Sequence, residues 1–158
     1  MRSASFDLSR FRAAYATGAQ TPATTIKTVL QWIAAAGEDA IWISRVPDEA
    51  LLEAAARLSA TGSDRLLLYG VPFAVKDNID VAGLPTTAAC PAFAYLAERS
   101  APVVERLIAA GALLIGKTHL DQFATGLAGV RSPFGVPRNP FDPAMAAGGS
   151  SSGSAVVI

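Results

Sequence analysis

The residue types that most often announce chemistry are scarce in this chain, which has one cysteine and one histidine in 158 residues. With Cys90 alone, no internal disulfide can form, and stability must come from buried apolar surface. A lone thiol with no activating base nearby reads as packing, and a reducing, cytoplasmic setting is the expectation. His119 has no partner cluster, so it reads as a structural donor rather than part of a Ser-His-Asp triad. No Cys/His spacing suits a metal, and neither metal nor cofactor is expected. An excess of either charge is also lacking, with Lys+Arg 13 against Asp+Glu 13. That balance gives no electrostatic case for nucleic acid or an anionic membrane as partner. No apolar run approaches the roughly 20 residues of a membrane-spanning helix. The opening residues, Met1 to Asp7, hold no apolar signal segment.

What is present is apolar. Hydrophobic residues make up 51% and charged residues 16%, enough to fold around one core. A short helical pattern over 7–16 carries Leu8, Phe11 and Tyr15. Thr21-Pro22 pairs a capping hydroxyl with proline at the first helical position, and Ile26, Val29, Leu30 and Ile33 follow as a buried stripe ending at Gly37. A β-rich run lies at 40–44, and Pro47 opens a helix carrying Leu51, Ala54, Ala55 and Leu58. Thr61 to Asp64 is a polar break. Beyond it, 72–75 predicts a strand, Ser100 a capped helix ending at Gly111, 112–115 an apolar strand, and 120–127 a short helix. Four prolines make 131–149 irregular. Short apolar strands between helices predict an α/β fold, with a mixed or mostly parallel sheet covered by helices. A helical layer over about 1–60 would precede the start of a catalytic core at about 66–158.

Three motifs carry candidate chemistry. Gly111-Ala-Leu-Leu-Ile-Gly116-Lys117-Thr118 matches the phosphate-binding loop expression letter for letter. A phosphate cradle needs a strand before its first glycine and open N–H donors after it. Here the preceding segment is helical and the intervening residues are themselves the strand, so a nucleotide site is disfavoured. Lys76 ends an apolar strand, where α/β folds place their chemistry; desolvation there would lower its pKa and make it a base. Taken alone, it also fits a surface lysine at a strand end. Gly148-Gly149-Ser150-Ser151-Ser152-Gly153-Ser154 is either a flexible linker or a loop whose small residues let backbone approach a substrate.

Together these residues resemble the amidase-signature family, from about Tyr69 onward and more loosely from Phe6. Gly70 to Asn78 resembles the family's lysine strand. Gly116-Lys117-Thr118 with Asp121 to Ala124 resembles its strand-then-helix core, and Asn139-Pro140 with Gly148 to Ala155 its Gly/Ser signature. Within the family, Pro85 to Tyr95 and Asp121 to Leu127 look most like allophanate hydrolases. The resemblance implies hydrolysis of a small urea-derived amide to ammonia and carbon dioxide, a step that the family pairs with a biotin-dependent urea carboxylase. It implies Lys76 as catalytic base and Ser150 as bridging serine behind a cis peptide bond from Gly149. It further places Gly126, Gly149 and Ser151 around the substrate and implies a homodimer for the full-length enzyme.

The family's nucleophilic serine and oxyanion loop follow the Gly/Ser segment. The expectation is that they lie beyond Ile158, that the chain is cut there, and that it is inactive alone. Apolar 112–115 would then be left partly uncovered. The rival readings are another amidase, such as the A subunit of a tRNA-dependent amidotransferase, a nucleotide binder built on Gly111 to Thr118, and a non-catalytic relic of the fold.

Overall fold

A computed structural model describes residues 7–37, 39–62 and 66–157. Phe6, the Ser63-Asp64 half of the polar break and Ile158 lie outside the described residues. The elements run α1 (Leu8–Ala16), α2 (Pro22–Ala36), β1 (Trp42–Arg45), α3 (Asp48–Thr61), β2 (Pro72–Lys76), β3 (Pro85–Thr86), β4 (Tyr95–Leu96), α4 (Pro102–Ala109), β5 (Leu113–Thr118) and α5 (Ser152–Val156).

β5 is the centre of the fold because its sequence has no polar face until its last two residues. All six of its residues are buried, and it lies between β1 and β2 in a three-stranded sheet. The sheet is mixed: β2 runs parallel to β5, and β1 antiparallel. Alternate side chains leave a strand on opposite faces. Leu113 and Ile115 accordingly join Ile26 and Val29 of α2 and Leu51 and Ala55 of α3, while Leu114 joins Val75, Val81 and Val104. Helices thus cover both faces. The expectation that 112–115 would be partly uncovered is corrected, since Ala112 to Ile115 are buried.

Gly116 marks where the strand must come unusually close to β1. A Cβ there would meet the Ser44 carbonyl oxygen and the Arg45 Cα, and the registers of β5 with both neighbours shift close by. The helix starts follow local chemistry. Thr21 and Thr24 form a reciprocal capping box ahead of α2, and Asp48 and Glu49 sit in the first turn of α3, where the helix dipole favours negative charge.

Two local expectations are corrected. Ser100 does not cap α4; its hydroxyl instead accepts from the Ala82 N–H, and Ala101 holds the cap position. The helix expected over 120–127 is a single 3₁₀ turn, Gln122–Ala124, with Phe123 and Ala124 in the left-handed region at φ 51° and 57°. Its N–H groups go elsewhere: Gln122 N–H donates to the Arg131 carbonyl, and Phe123 N–H to the Ala88 carbonyl. Among the described residues, no helix is long and apolar enough to cross a membrane.

Candidate active site

The parallel pairing of β2 and β5 sends the carboxyl ends of both strands to one edge. Lys76 is the last residue of β2 and pairs in register with Thr118, the last of β5. The Gly/Ser segment folds back over this edge and begins α5. The Thr118 and Ser154 hydroxyls lie 2.7 Å apart, and Gly153 N–H donates to the His119 carbonyl. This docking brings Lys76 Nζ to 2.7 Å from Ser150 Oγ, across 74 residues of sequence. The Gly149–Ser150 peptide bond is cis, as the resemblance implies.

Desolvation by partial burial pushes the Lys76 ammonium below the usual lysine range, and the negative charge of Asp121 opposes that shift. As an ammonium, Lys76 donates to Ser150 Oγ; as an amine, it accepts the hydroxyl proton over the same short distance. Lowering its pKa enlarges the amine fraction near neutral pH.

Asp121 organises the ground under Ser150. Its own N–H donates to the Ser150 carbonyl at 3.0 Å. Its fully buried carboxylate accepts from Gly129 N–H at 2.9 Å and Arg131 N–H at 2.8 Å. Burial pushes this carboxyl upward, but the backbone donors of Arg131, Gly129 and Val130 outweigh it and hold the pKa below the usual carboxylate range. Two glycines make room for this carboxylate: a Cβ at Gly126 or Gly149 would run into it. Gly126 is buried behind Asp121. Gly149 is exposed beside Ser150, and Ser151 is exposed at the start of α5 with no side-chain cap. The structure therefore gathers Lys76, Gly149 and Ser150 at one edge and sets Gly126 underneath.

His119 is wholly buried. Its Nε2–H donates to the Gly135 carbonyl at 3.0 Å, and in the neutral ring, which burial favours, Nδ1 accepts from the Ser152 hydroxyl at 2.7 Å. Burial lowers its pKa, and the ring ties the Gly/Ser segment to the 131–137 loop. Lys117 is likewise buried. It donates to Thr86 Oγ1 at 2.6 Å and to the Pro85 carbonyl at 2.8 Å, and pairs at 3.2 Å with buried Asp77. Gly116-Lys117-Thr118 is thus interior strand, and the lysine that imitates a phosphate-binding residue is saturated by protein groups. Cys90 is free and half-buried.

The amidase family model matches residues 24–158. The chain belongs to the amidase family. It is 55% identical over 121 residues to the urea amidolyase of Saccharomyces cerevisiae, covering 76% of this chain and 7% of that protein. It is 50% identical over 104 residues to the A subunit of the glutamyl-tRNA(Gln) amidotransferase of Symbiobacterium thermophilum, covering 65% of this chain and 21% of that one. The solved structure of an S177A allophanate hydrolase of Kluyveromyces lactis superposes with a TM-score of 0.76 at 48% identity, covering 88% of this chain and 23% of that chain. This amidase chain therefore spans less than a quarter of the length of each of these three proteins.

Sequence reasoning passes over three supports of the amidase edge. Asp121 enters it only as part of a resemblance, although a carboxylate followed by glycines at 126 and 129 is a pattern that suits a turn anchor. Lys117 enters only as a disfavoured nucleotide ligand and as part of a resemblance. A lysine at the end of an otherwise apolar strand, with an acid at 77 beside a neighbouring strand end, is the available signal for a buried pair. Asp77 itself enters only as part of the stretch following Lys76.

Proposed function

We propose that residues 1–158 form the N-terminal portion of the amidase domain of a Ser-Ser-Lys amide hydrolase that acts on allophanate in urea breakdown, with a helical layer over about 1–60 ahead of the start of the catalytic core at about 66–158. The observation that carries this reading is the 2.7 Å approach of Lys76 Nζ to Ser150 Oγ. An uncharged Lys76 would take the Ser150 hydroxyl proton as Ser150 takes one from a nucleophilic serine, which in the family follows the Gly/Ser segment. That serine attacks the amide carbonyl. Collapse of the tetrahedral intermediate expels ammonia, to which the relay returns its proton, and leaves an acyl-enzyme that water hydrolyses. Backbone N–H groups beside the nucleophile would hold the developing oxyanion. The carboxylated remainder of the substrate then yields carbon dioxide. The relay needs no metal or cofactor, and residues 1–158 supply only its base and its bridging serine.

The likeness to the allophanate hydrolase of Kluyveromyces lactis, which extends over 88% of the chain at 48% identity, supports allophanate as substrate. A second reading, an amidotransferase A subunit, draws on the 50% identity to the Symbiobacterium protein, but over a shorter stretch of 104 residues. The two separate by substrate: ammonia release from allophanate in the absence of any tRNA favours the first.

In the full-length protein carrying residues 1–158, Lys76→Ala is expected to slow ammonia release from allophanate about a thousandfold, within the span of general-base contributions. A Lys76→Ala enzyme that keeps its rate overturns the proposal. Residues 1–158 alone are expected to release no more ammonia than their own Lys76→Ala control.

A further inference from the structure

Lys117 and Asp77 are charged side chains with no exposure at all, and the proton relay uses neither. A buried ion pair is poor insurance for stability, because desolvation consumes most of the attraction and apolar replacements of similar volume are often as stable. Apolar contact, however, has little directionality, whereas each member of this pair makes directional hydrogen bonds to the 85–87 segment. The Lys117 ammonium donates to Thr86 Oγ1 and the Pro85 carbonyl of β3, and its charge faces Asp77 Oδ1, which has no hydrogen-bond partner, at 3.2 Å. Thr86 passes its own hydroxyl proton to Asp80, which also receives the Tyr95 hydroxyl. On the other side, the Asp77 carboxylate accepts from the Thr87 N–H and the Thr87 hydroxyl.

The backbone around the pair forms a closed circuit with Lys76 in it. Asp77 N–H donates to the Thr118 carbonyl of β5, and the Asp77 carbonyl accepts from Ala88 N–H. The Ala88 carbonyl accepts from Phe123 N–H. Asp121, two residues before Phe123, donates its N–H to the Ser150 carbonyl, and Ser150 Oγ meets Lys76 Nζ. Ala88, Ala89, Phe123 and Ala124 all have left-handed backbone, an unfavourable conformation for residues with a Cβ that persists only where surroundings impose it. Lys117 and Asp77 supply the charged contacts that hold the 85–89 side of this circuit to the strand ends.

We propose that the Lys117–Asp77 pair is a positioning device for Lys76, clamping the 85–89 loop to the ends of β2 and β5 and thereby setting the separation of Lys76 Nζ from Ser150 Oγ. The inference rests on the reading of Lys76 as the catalytic base.

The test is the doubly neutral variant Asp77→Asn/Lys117→Met in the full-length protein, with Lys76→Ala as reference. Melting temperature, kcat and KM for allophanate are measured below the melting transition. The expected result is a melt close to the parent's, with kcat reduced about a hundredfold, the cost of a misplacement of about 1 Å, and KM little changed. A stable double variant with the parent's kcat overturns the inference, as does one in which KM alone rises. If the double variant does not fold, Thr86→Val removes one Lys117 contact and keeps both charges. It is expected to lower kcat with KM unchanged, and a parental kcat there overturns the inference equally. Lys76→Ala separates the two claims. If it is inactive while the pair variants are not, only the positioning role falls; if it is active, the base assignment falls first.

Discussion

Burial disfavours the charged form of His119, and the neutral ring fits its site, with Nε2–H on the Gly135 carbonyl and Nδ1 facing the Ser152 hydroxyl. Burial lowers its pKa, so the unfolded chain takes up the proton first as pH falls. Its contribution to stability is therefore full above the ordinary histidine range and is lost as pH drops below about 6.5. Denaturant midpoints measured at falling pH are expected to decline across that range, and His119→Gln to flatten the decline. A slope unchanged in the variant would assign the effect to other groups. At this scale, Lys76 and Ser150 stand out as candidates because they lie in motifs that resemblance can read, a lysine ending an apolar strand and a glycine-flanked serine. Asp121 and the Lys117–Asp77 pair leave only weak local signals, a turn-anchor pattern and an acid near a strand-end lysine. What makes them matter is burial and convergence from distant segments, and neither is written in local spacing.

Helix α2 and strand β5 stand at opposite ends of legibility among the elements. For α2 the periodic stripe, the Thr21 cap and Gly37 all agree, and the helix forms between those bounds. For β5 the apolar core was readable from its residues, whereas its continuation through Gly116, Lys117 and Thr118 entered only through the resemblance, because a lysine in a buried strand needs a partner that only the fold supplies. The missing helix at 120–127 has a similar cause. Asp121 spends its carboxylate on Gly129 and Arg131, and Phe123 turns its N–H to Ala88, so tertiary hydrogen bonds take the groups a helix would use. Gly116→Ala tests the tight β1–β5 crossing, since the added methyl meets the backbone of β1. A loss of about 1–3 kcal/mol in thermal or chemical unfolding is expected, the usual range for overpacking a well-packed site. A neutral outcome would show that β1 can draw back.

Across the whole molecule, charge is balanced and the one sequence motif that suggests nucleotide binding is buried in the sheet. Labelled ATP is expected to show no saturable binding. Lys117→Ala is expected to leave that result unchanged and to lower stability by about 3–5 kcal/mol, as happens when one member of a buried pair is removed. Saturable binding lost in that variant would reinstate the nucleotide reading. The two groups of the proposed relay come from positions 74 residues apart. Long-range contacts of this kind are made only after the intervening chain has paired and packed. Until then position 76 carries an ordinary hydrated ammonium. On the proposed relay, a nascent or partly opened chain therefore offers no reactive amine to misdirect, and the base is prepared only as the fold completes.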